Sequence, residues 1–232
     1  MRIASVSKLL VGYAALVALE EESIDLDEPA GPDGATVGDL LAHTSGLAFN
    51  SRAVVAPPRH RRIYSNAGVE VFADHLADRT EMPFTKYLTL GVLEPLGMAA
   101  TELHGSPAHN VMSSVGDLLR FASELLSPTL ISRDTLGMAR IPHHGELSGM
   151  LPGIGRMDPN PFGLTFEVKG TKQPHWTGSS NSLETFGHFG GSGTFLWIDP
   201  IASAACIALT DKDFGPWALD VWPRFSDAVL DQ

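Results

Sequence analysis

The sequence predicts an α+β fold, with helices first and an antiparallel sheet and closing helix last. Three observations carry this. Up to about residue 135, apolar residues recur at helical spacing behind Thr/Ser-x-x-Asp starts. Past residue 140, Pro142, Pro152, Pro159 and Pro161 mark loops, and short runs rich in β-branched and aromatic residues take over. The stretch from Pro216 to Leu230 then returns to helical spacing, with proline in its first turn. The 232 residues, 44% apolar and 19% charged, are enough for one globular domain with an ample core. A single domain over 1–232 is expected, mainly helical over about 5–135, with the sheet and closing helix over about 160–232.

The first element is an apolar run, Leu9 to Leu19, read as a helix over about 5–21 buried on most sides. Met1-Arg2 followed by this run looks like a secretory signal. However, the run is too short to span a bilayer, and it passes into Glu20-Glu21-Glu22 without a small-x-small cleavage site. The chain as given is therefore expected to be cytoplasmic and without a membrane span. A secreted or periplasmic location follows if the true start lies upstream. Residues 23–35 read as a turn-rich loop. Thr36-Val37-Gly38-Asp39 fits a capping box for a short helix over about 37–43, which Gly46 helps to end. Further helices are expected at about 67–79 and 84–92. Ser114-Val115-Gly116-Asp117 starts another, with Leu118, Phe121, Ala122 and Leu125 on its apolar side. Strands are expected at Phe162–Val168, Thr185–Phe189, Thr194–Ile198 and Ala204–Thr210, with Asp199 to Ala202 as a hairpin connection. Pro223 should kink the last helix.

Several chemistries drop out. A formal charge of −11 argues against binding a phosphate backbone, so no nucleic-acid partner is expected. No phosphate-binding glycine loop is present, and the nine histidines form no short metal-ligand spacing, so neither cofactor nor metal is expected. The single cysteine, Cys206, lies in an apolar run and reads as a buried, inert thiol. The oligomeric state is left open.

Three short segments do point to catalysis. Ser5-Val6-Ser7-Lys8 is S-x-x-K at the start of the first helix. Residues three apart share a helical face, so the Lys8 amine reaches the Ser5 hydroxyl. Apolar surroundings disfavour the ammonium and make the amine a usable base, and the helix dipole favours a developing oxyanion at Ser5. Taken alone, the tetrad is better described as a capped helix with a snorkelling lysine. Tyr64-Ser65-Asn66 lies at a loop-to-helix junction. Its phenol can shuttle a proton if a nearby cation lowers its pKa, and its amide can orient a carbonyl. Gly187 to Gly193, containing His188, Gly190 and Gly191, links two strands. There a substrate can lie against the sheet edge, and a backbone N–H can complete an oxyanion hole.

In this order, S-x-x-K, Y-x-N and H-x-G (His188-Phe189-Gly190) resemble the serine β-lactamase-like superfamily. This group includes class C β-lactamases, D-alanyl-D-alanine carboxypeptidases and family VIII-type esterases. Leu40 to Leu47 is similar to its LLxHxSGL segment, Glu94 to Thr101 to its PLGMxxT segment, and Ser113 to Phe121 to its S-x-x-D-L-x-x-F helix. The resemblance covers essentially the whole chain. It implies a β-lactamase/transpeptidase-like α+β fold and a serine hydrolase that forms an acyl-enzyme on Ser5 from a small-molecule ester, amide or β-lactam. Lys8 would be the base, and Tyr64 would join it in proton transfer and in activating the deacylating water. Asn66 would orient the acyl part, and His188 would face the pocket from the sheet edge. The backbone N–H groups of Ser5 and Gly191 would form the oxyanion hole, beside Gly190. Trp176 would line the pocket or be buried in the core.

Two departures from the family pattern bear on activity. H-x-G in place of K-T-G resembles the esterase-like branch and lacks a fixed cation for a substrate carboxylate. The family's serine also follows a segment that supplies a helix and the first two strands of the sheet. Here Met1 stands four residues before Ser5. The resemblance therefore implies a sheet of about three strands with an exposed edge, and Ser5 near a fraying terminus. The alternative reading is an inactive or truncated member of the family that binds a peptide-like or acyl ligand.

Overall fold

The structure, a computed structural model, describes residues 1–231. Helix α1 (Ser7–Glu20) is the axis of the helical part, with 12 of its 14 residues buried. Its Leu, Val and Ala residues can be buried on every side because other elements surround it. It packs against α3 (Asn66–Thr80), α4 (Phe84–Leu88) with the π-turn Thr89–Leu93 that extends it, and α6 (Arg133–Arg140). The loop Leu164–Thr165 presses so closely on α1 that a Cβ at Gly12 would collide with the Thr165 hydroxyl.

Helix α2 (Val37–Leu41) carries the expected capping box in full, Thr36 accepting from the Asp39 N–H and Asp39 from the Thr36 N–H. A two-strand ribbon, β1 (Glu102–Leu103) with β2 (Val111–Met112), precedes α5 (Val115–Leu126). At α5 only the Ser114 half of the box forms. The Asp117 carboxylate turns away and accepts from the Ala100 N–H and the Thr101 hydroxyl, both at 2.8 Å. A hairpin of β3 (Gly149–Leu151) and β4 (Gly155–Met157) lies where the prolines had suggested only loops.

The main sheet is antiparallel in the order β5 (Glu167–Val168), β6 (Phe186–Gly190), β7 (Thr194–Asp199) and β8 (Ala204–Leu209). It has four strands rather than about three. The expected strand Phe162–Val168 shrinks to its last two residues, because Thr165 takes a left-handed φ of 63° and the Gly163 N–H folds back onto the Phe166 carbonyl. The Asp199 carboxylate closes the β7–β8 turn by accepting from the Ile201 and Ala202 N–H groups. Among the described residues, strand β8 pairs only with β7 and forms the sheet edge. Helix α5 packs on β7 and β8, and α7 (Pro216–Leu230) on β8.

Two apolar clusters result. One surrounds α1. The other holds Trp176, Trp197, Trp222, Phe189 and Phe195 under α7, and it includes Tyr64. Residues 1–3 are hydrogen-bonded to the β2 segment and its neighbour Ser113. The Met1 ammonium donates to the Ser113 carbonyl at 2.7 Å and the Ile3 N–H to the Val111 carbonyl at 3.0 Å. Among the described residues, no helix is long and apolar enough to cross a membrane.

Candidate active site

Ser5 lies in a single 3-10 turn, Ala4–Val6, ahead of α1 rather than in the helix proper. Ala4 adopts a left-handed φ of 45°, a costly conformation for a residue with a Cβ. Neighbouring groups hold it there. The Ile3 carbonyl accepts from Thr194 Oγ1 at 2.9 Å, and the Arg2 carbonyl accepts from Ser192 Oγ at 2.9 Å. Gly190, at the end of β6, has no room for a side chain. A Cβ there would lie 2.5 Å from the Ile3 oxygen. The end of β6 and the Ser5 turn are thus in direct backbone contact, and glycine is what permits it. Gly191 has open space around its Cα.

Lys8 is fully buried. Its Nζ lies 3.2 Å from Ser5 Oγ, 2.6 Å from Asn66 Oδ1 and 2.8 Å from the Ala108 carbonyl. Burial lowers its pKa to about 7, although Glu70 pulls it back upward. A neutral amine has two N–H groups and one lone pair. The two fixed acceptors, Asn66 and Ala108, take the N–H groups, which leaves the lone pair for the Ser5 hydroxyl. Asn66 in turn donates from Nδ2 to Asn50 Oδ1 at 2.8 Å. Its carbonyl is engaged by Lys8 and orients the amine.

Tyr64 is held at the opposite side, with Lys8 Nζ 4.8 Å from its ring centroid. Burial raises its pKa, outweighing the nearby Ser5 hydroxyl, so the phenol keeps its proton. A nearby cation, whose lowering of that pKa was the condition for the phenol to shuttle a proton, does not outweigh burial here. Among the described residues, the hydroxyl completes no hydrogen bond of ordinary geometry. His43, which the sequence reading left without a role, fixes this tyrosine. Its carbonyl accepts from the Ile63 N–H at 2.9 Å and its Nδ1 from the Ser65 N–H at 3.2 Å, one on each side of Tyr64. Its ring lies 4.6 Å from the phenol, and its backbone is left-handed at φ 59°. Accepting at Nδ1 puts the proton on Nε2. The only signal for His43 in the sequence was its place in the Leu40–Leu47 segment. Asn50 and the Ala108 carbonyl had none.

His188 is buried on β6, its ring 5.5 Å from Tyr64. Nδ1 donates to the Phe189 carbonyl at 2.7 Å, which leaves Nε2 as an unpaired acceptor. Burial, then Lys8, lowers its pKa to about 3, so the imidazole is neutral. It offers a lone pair to the site rather than a charge.

Trp176 lies elsewhere. It is 1% exposed, and its indole N–H donates to Glu167 Oε2 at 2.6 Å within the second cluster. Glu167 also pairs with buried Lys172 and with His175 Nε2 at 3.0 Å. A polar indole nitrogen beside a buried carboxylate explains why Trp176 turns inward instead of lining a pocket. Cys206 is buried, and burial raises its thiol to about 11, as expected of an inert cysteine.

A family model described as Beta-lactamase matches residues 1–230. A D-alanyl-D-alanine-carboxypeptidase/endopeptidase, AmpH of Escherichia coli (strain K12), is 24% identical, the match covering 57% of this chain. The chain spans about half of AmpH, 50% of its length. Among solved structures, a beta-lactamase (Mb2281c) from Mycobacterium bovis superposes with a TM-score of 0.98 at 50% identity, covering 100% of this chain and 86% of that one. Simvastatin synthase (LovD) from Aspergillus terreus, as the LovD6 mutant, superposes with a TM-score of 0.81 at 18% identity, covering 100% and 82%, a likeness of fold.

Proposed function

The chain belongs to the beta-lactamase family, and from that premise we propose that it is a serine hydrolase working through an acyl-enzyme on Ser5. Its substrate is a small-molecule ester, amide or β-lactam. The observation that carries this reading is the Lys8 amine 3.2 Å from Ser5 Oγ, with a pKa of about 7. At neutral pH a large fraction of Lys8 is then free base, with its lone pair facing the serine.

The Lys8 amine takes the Ser5 proton as Oγ bonds to the substrate carbonyl carbon. The oxyanion that forms is met by the Ser5 and Gly191 N–H groups at the junction of the turn and the sheet edge. Tyr64, still protonated, gives its proton to the leaving group, and the Lys8 ammonium restores it. Collapse expels the leaving group and leaves acyl-Ser5 with Lys8 neutral again. A water then attacks the ester, giving its proton up along the same Tyr64–Lys8 route, and Ser5 leaves as the alcohol. His188 Nε2 accepts a hydrogen bond from substrate or water. Being neutral, it supplies no charge for a β-lactam carboxylate, which favours ester-like substrates.

Intact-mass spectrometry after exposure to a small activated ester and to a penicillin tests this, with Ser5→Ala alongside. The expected result is an acyl adduct on the parent protein and none on the variant, more readily from the ester. No adduct from either reagent on folded protein would sink the hydrolase reading and leave a ligand-binding member of the family.

A further inference from the structure

Beside Tyr64 opens a cavity of about 360 Å³ whose apolar sides are Phe49, Ile63, Met150 and Pro152. Three arginines also line it, Arg61, Arg62 and Arg156. In a chain of formal charge −11 this is a local reversal of sign. Arg62 is 1% exposed. Among the described residues, its guanidinium donates to the carbonyls of Ala42, His143 and His144 and to no carboxylate, and its Nε is buried without a partner. Glu146 acts on Arg62 only from a distance, and burial lowers the guanidinium to about 10. Among the described residues, exposed Arg61 has no ion-pair partner. Arg156 donates to Ser148 Oγ at 2.9 Å and meets only the exposed carboxylate of Asp158, at 3.7 Å. A buried cation hydrogen-bonded only to carbonyl dipoles, under a rim of two exposed guanidinium groups, leaves positive potential in a small apolar cavity.

The geometry points to this cavity as the subsite for a carboxylate carried by the substrate. Arg61 and Arg156 grip the carboxylate at the rim, and Arg62 adds positive potential beneath. A short apolar segment separates the anion from the scissile carbonyl at Tyr64 and Ser5. The substrate class is thus an ester or amide with a carboxylate a few carbons from the reacting carbonyl, such as a hemiester of a dicarboxylic acid. This inference rests on the hydrolase reading for turnover but not for binding.

The test compares p-nitrophenyl hemiglutarate with p-nitrophenyl valerate, which match in acyl length and differ in the terminal carboxylate. A second pair, 3-acetoxybenzoate and phenyl acetate, carries the carboxylate on the leaving group and tells which side enters the cavity. In at least one pair the parent should prefer the anion. In Arg61→Ala/Arg156→Ala that ratio of kcat/KM should fall about tenfold, the scale of one lost charge-assisted contact. High salt should shrink the ratio in the parent, because rim charges are screened. Both arginines are exposed, so the variant should fold, and circular dichroism checks this. Binding of the hemiglutarate ester to Ser5→Ala, followed by tryptophan fluorescence, gives a readout that needs no turnover. The same double substitution in that background should weaken it about tenfold. Unchanged ratios and unchanged binding would overturn the subsite. Absence of turnover with intact, arginine-dependent binding would sink the hydrolase reading and keep the subsite.

Discussion

Lys8 shows how one burial decision would set the pH range of the proposed reaction. An exposed lysine is an ammonium at neutral pH and cannot take a proton. Here desolvation brings the amine to about 7, while Asn66 and Ala108 point its lone pair at Ser5. Below that value Lys8 is charged and has no lone pair to offer. The rate of Ser5 acylation should therefore climb about tenfold per pH unit up to about 7 and then level off. Stopped-flow release of p-nitrophenol from an activated ester checks this. Lys8→Arg, charged at all accessible pH, should lose the rise and about 100-fold or more of the rate. A limb that survives in the variant would assign the titration to another group. His188 is held at about 3 and Tyr64 above its ordinary value, so neither accounts for an inflection near 7.

Secondary-structure elements matter here mainly where they touch. The Ser5 turn is bolted to β6 and β7 through Ile3, Gly190 and Thr194. A methyl group at Gly190 would meet the Ile3 oxygen at 2.5 Å and Thr194 Oγ1 closer still, so backbone must move. Gly190→Ala should cost about 1–3 kcal/mol of stability. Displacing Ser5 should also slow acylation by more than about tenfold, since nucleophile placement is steep in distance. Gly191→Ala, which meets nothing within 4 Å, should cost little stability. Thermal denaturation of the two variants separates them. Equal destabilisation at both positions would show that the contact is not what requires glycine. His43 works between elements in the same way, joining the end of α2 to the Ile63–Ser65 backbone and holding Tyr64 over Lys8.

Taken as a whole, the molecule places its candidate active site where two apolar clusters meet. Lys8 belongs to the helix at the centre of one, and Tyr64 to the other. Behind the second, Glu167 is buried with Lys172, His175 and Trp176. Burial alone would raise its carboxyl. Lys172 and His175 overcome that and hold it at about 2. A carboxyl depressed in the folded state adds stability above its ordinary unfolded value, near 4.5, and loses it as pH falls toward 2. The urea midpoint should therefore drop across that window. Glu167→Gln leaves Lys172 buried without its counter-ion and should cost about 3–5 kcal/mol at neutral pH. Glu167→Gln/Lys172→Met removes the orphaned charge and should recover part of the loss. If the single variant is as stable as the parent, the pair contributes nothing net.

By itself the sequence determined most of the order of the elements and nominated the candidate reacting groups. Those signals are local. Thr36 caps its helix, Pro216 opens one, and the spacing of Ser5 and Lys8 holds over one turn. The hairpin at 149–157 and the break at Thr165 were hidden, because both depend on what lies across from them rather than on propensity. Protonation was equally out of reach. Whether Lys8 is a base, Tyr64 an acid, His188 neutral or Trp176 a core residue depends on burial and on partners tens of residues away. So does the ring of arginines beside Tyr64, drawn from residues 61–62 and 156. Only folding brings those side chains together and removes the water that would otherwise level their pKa values.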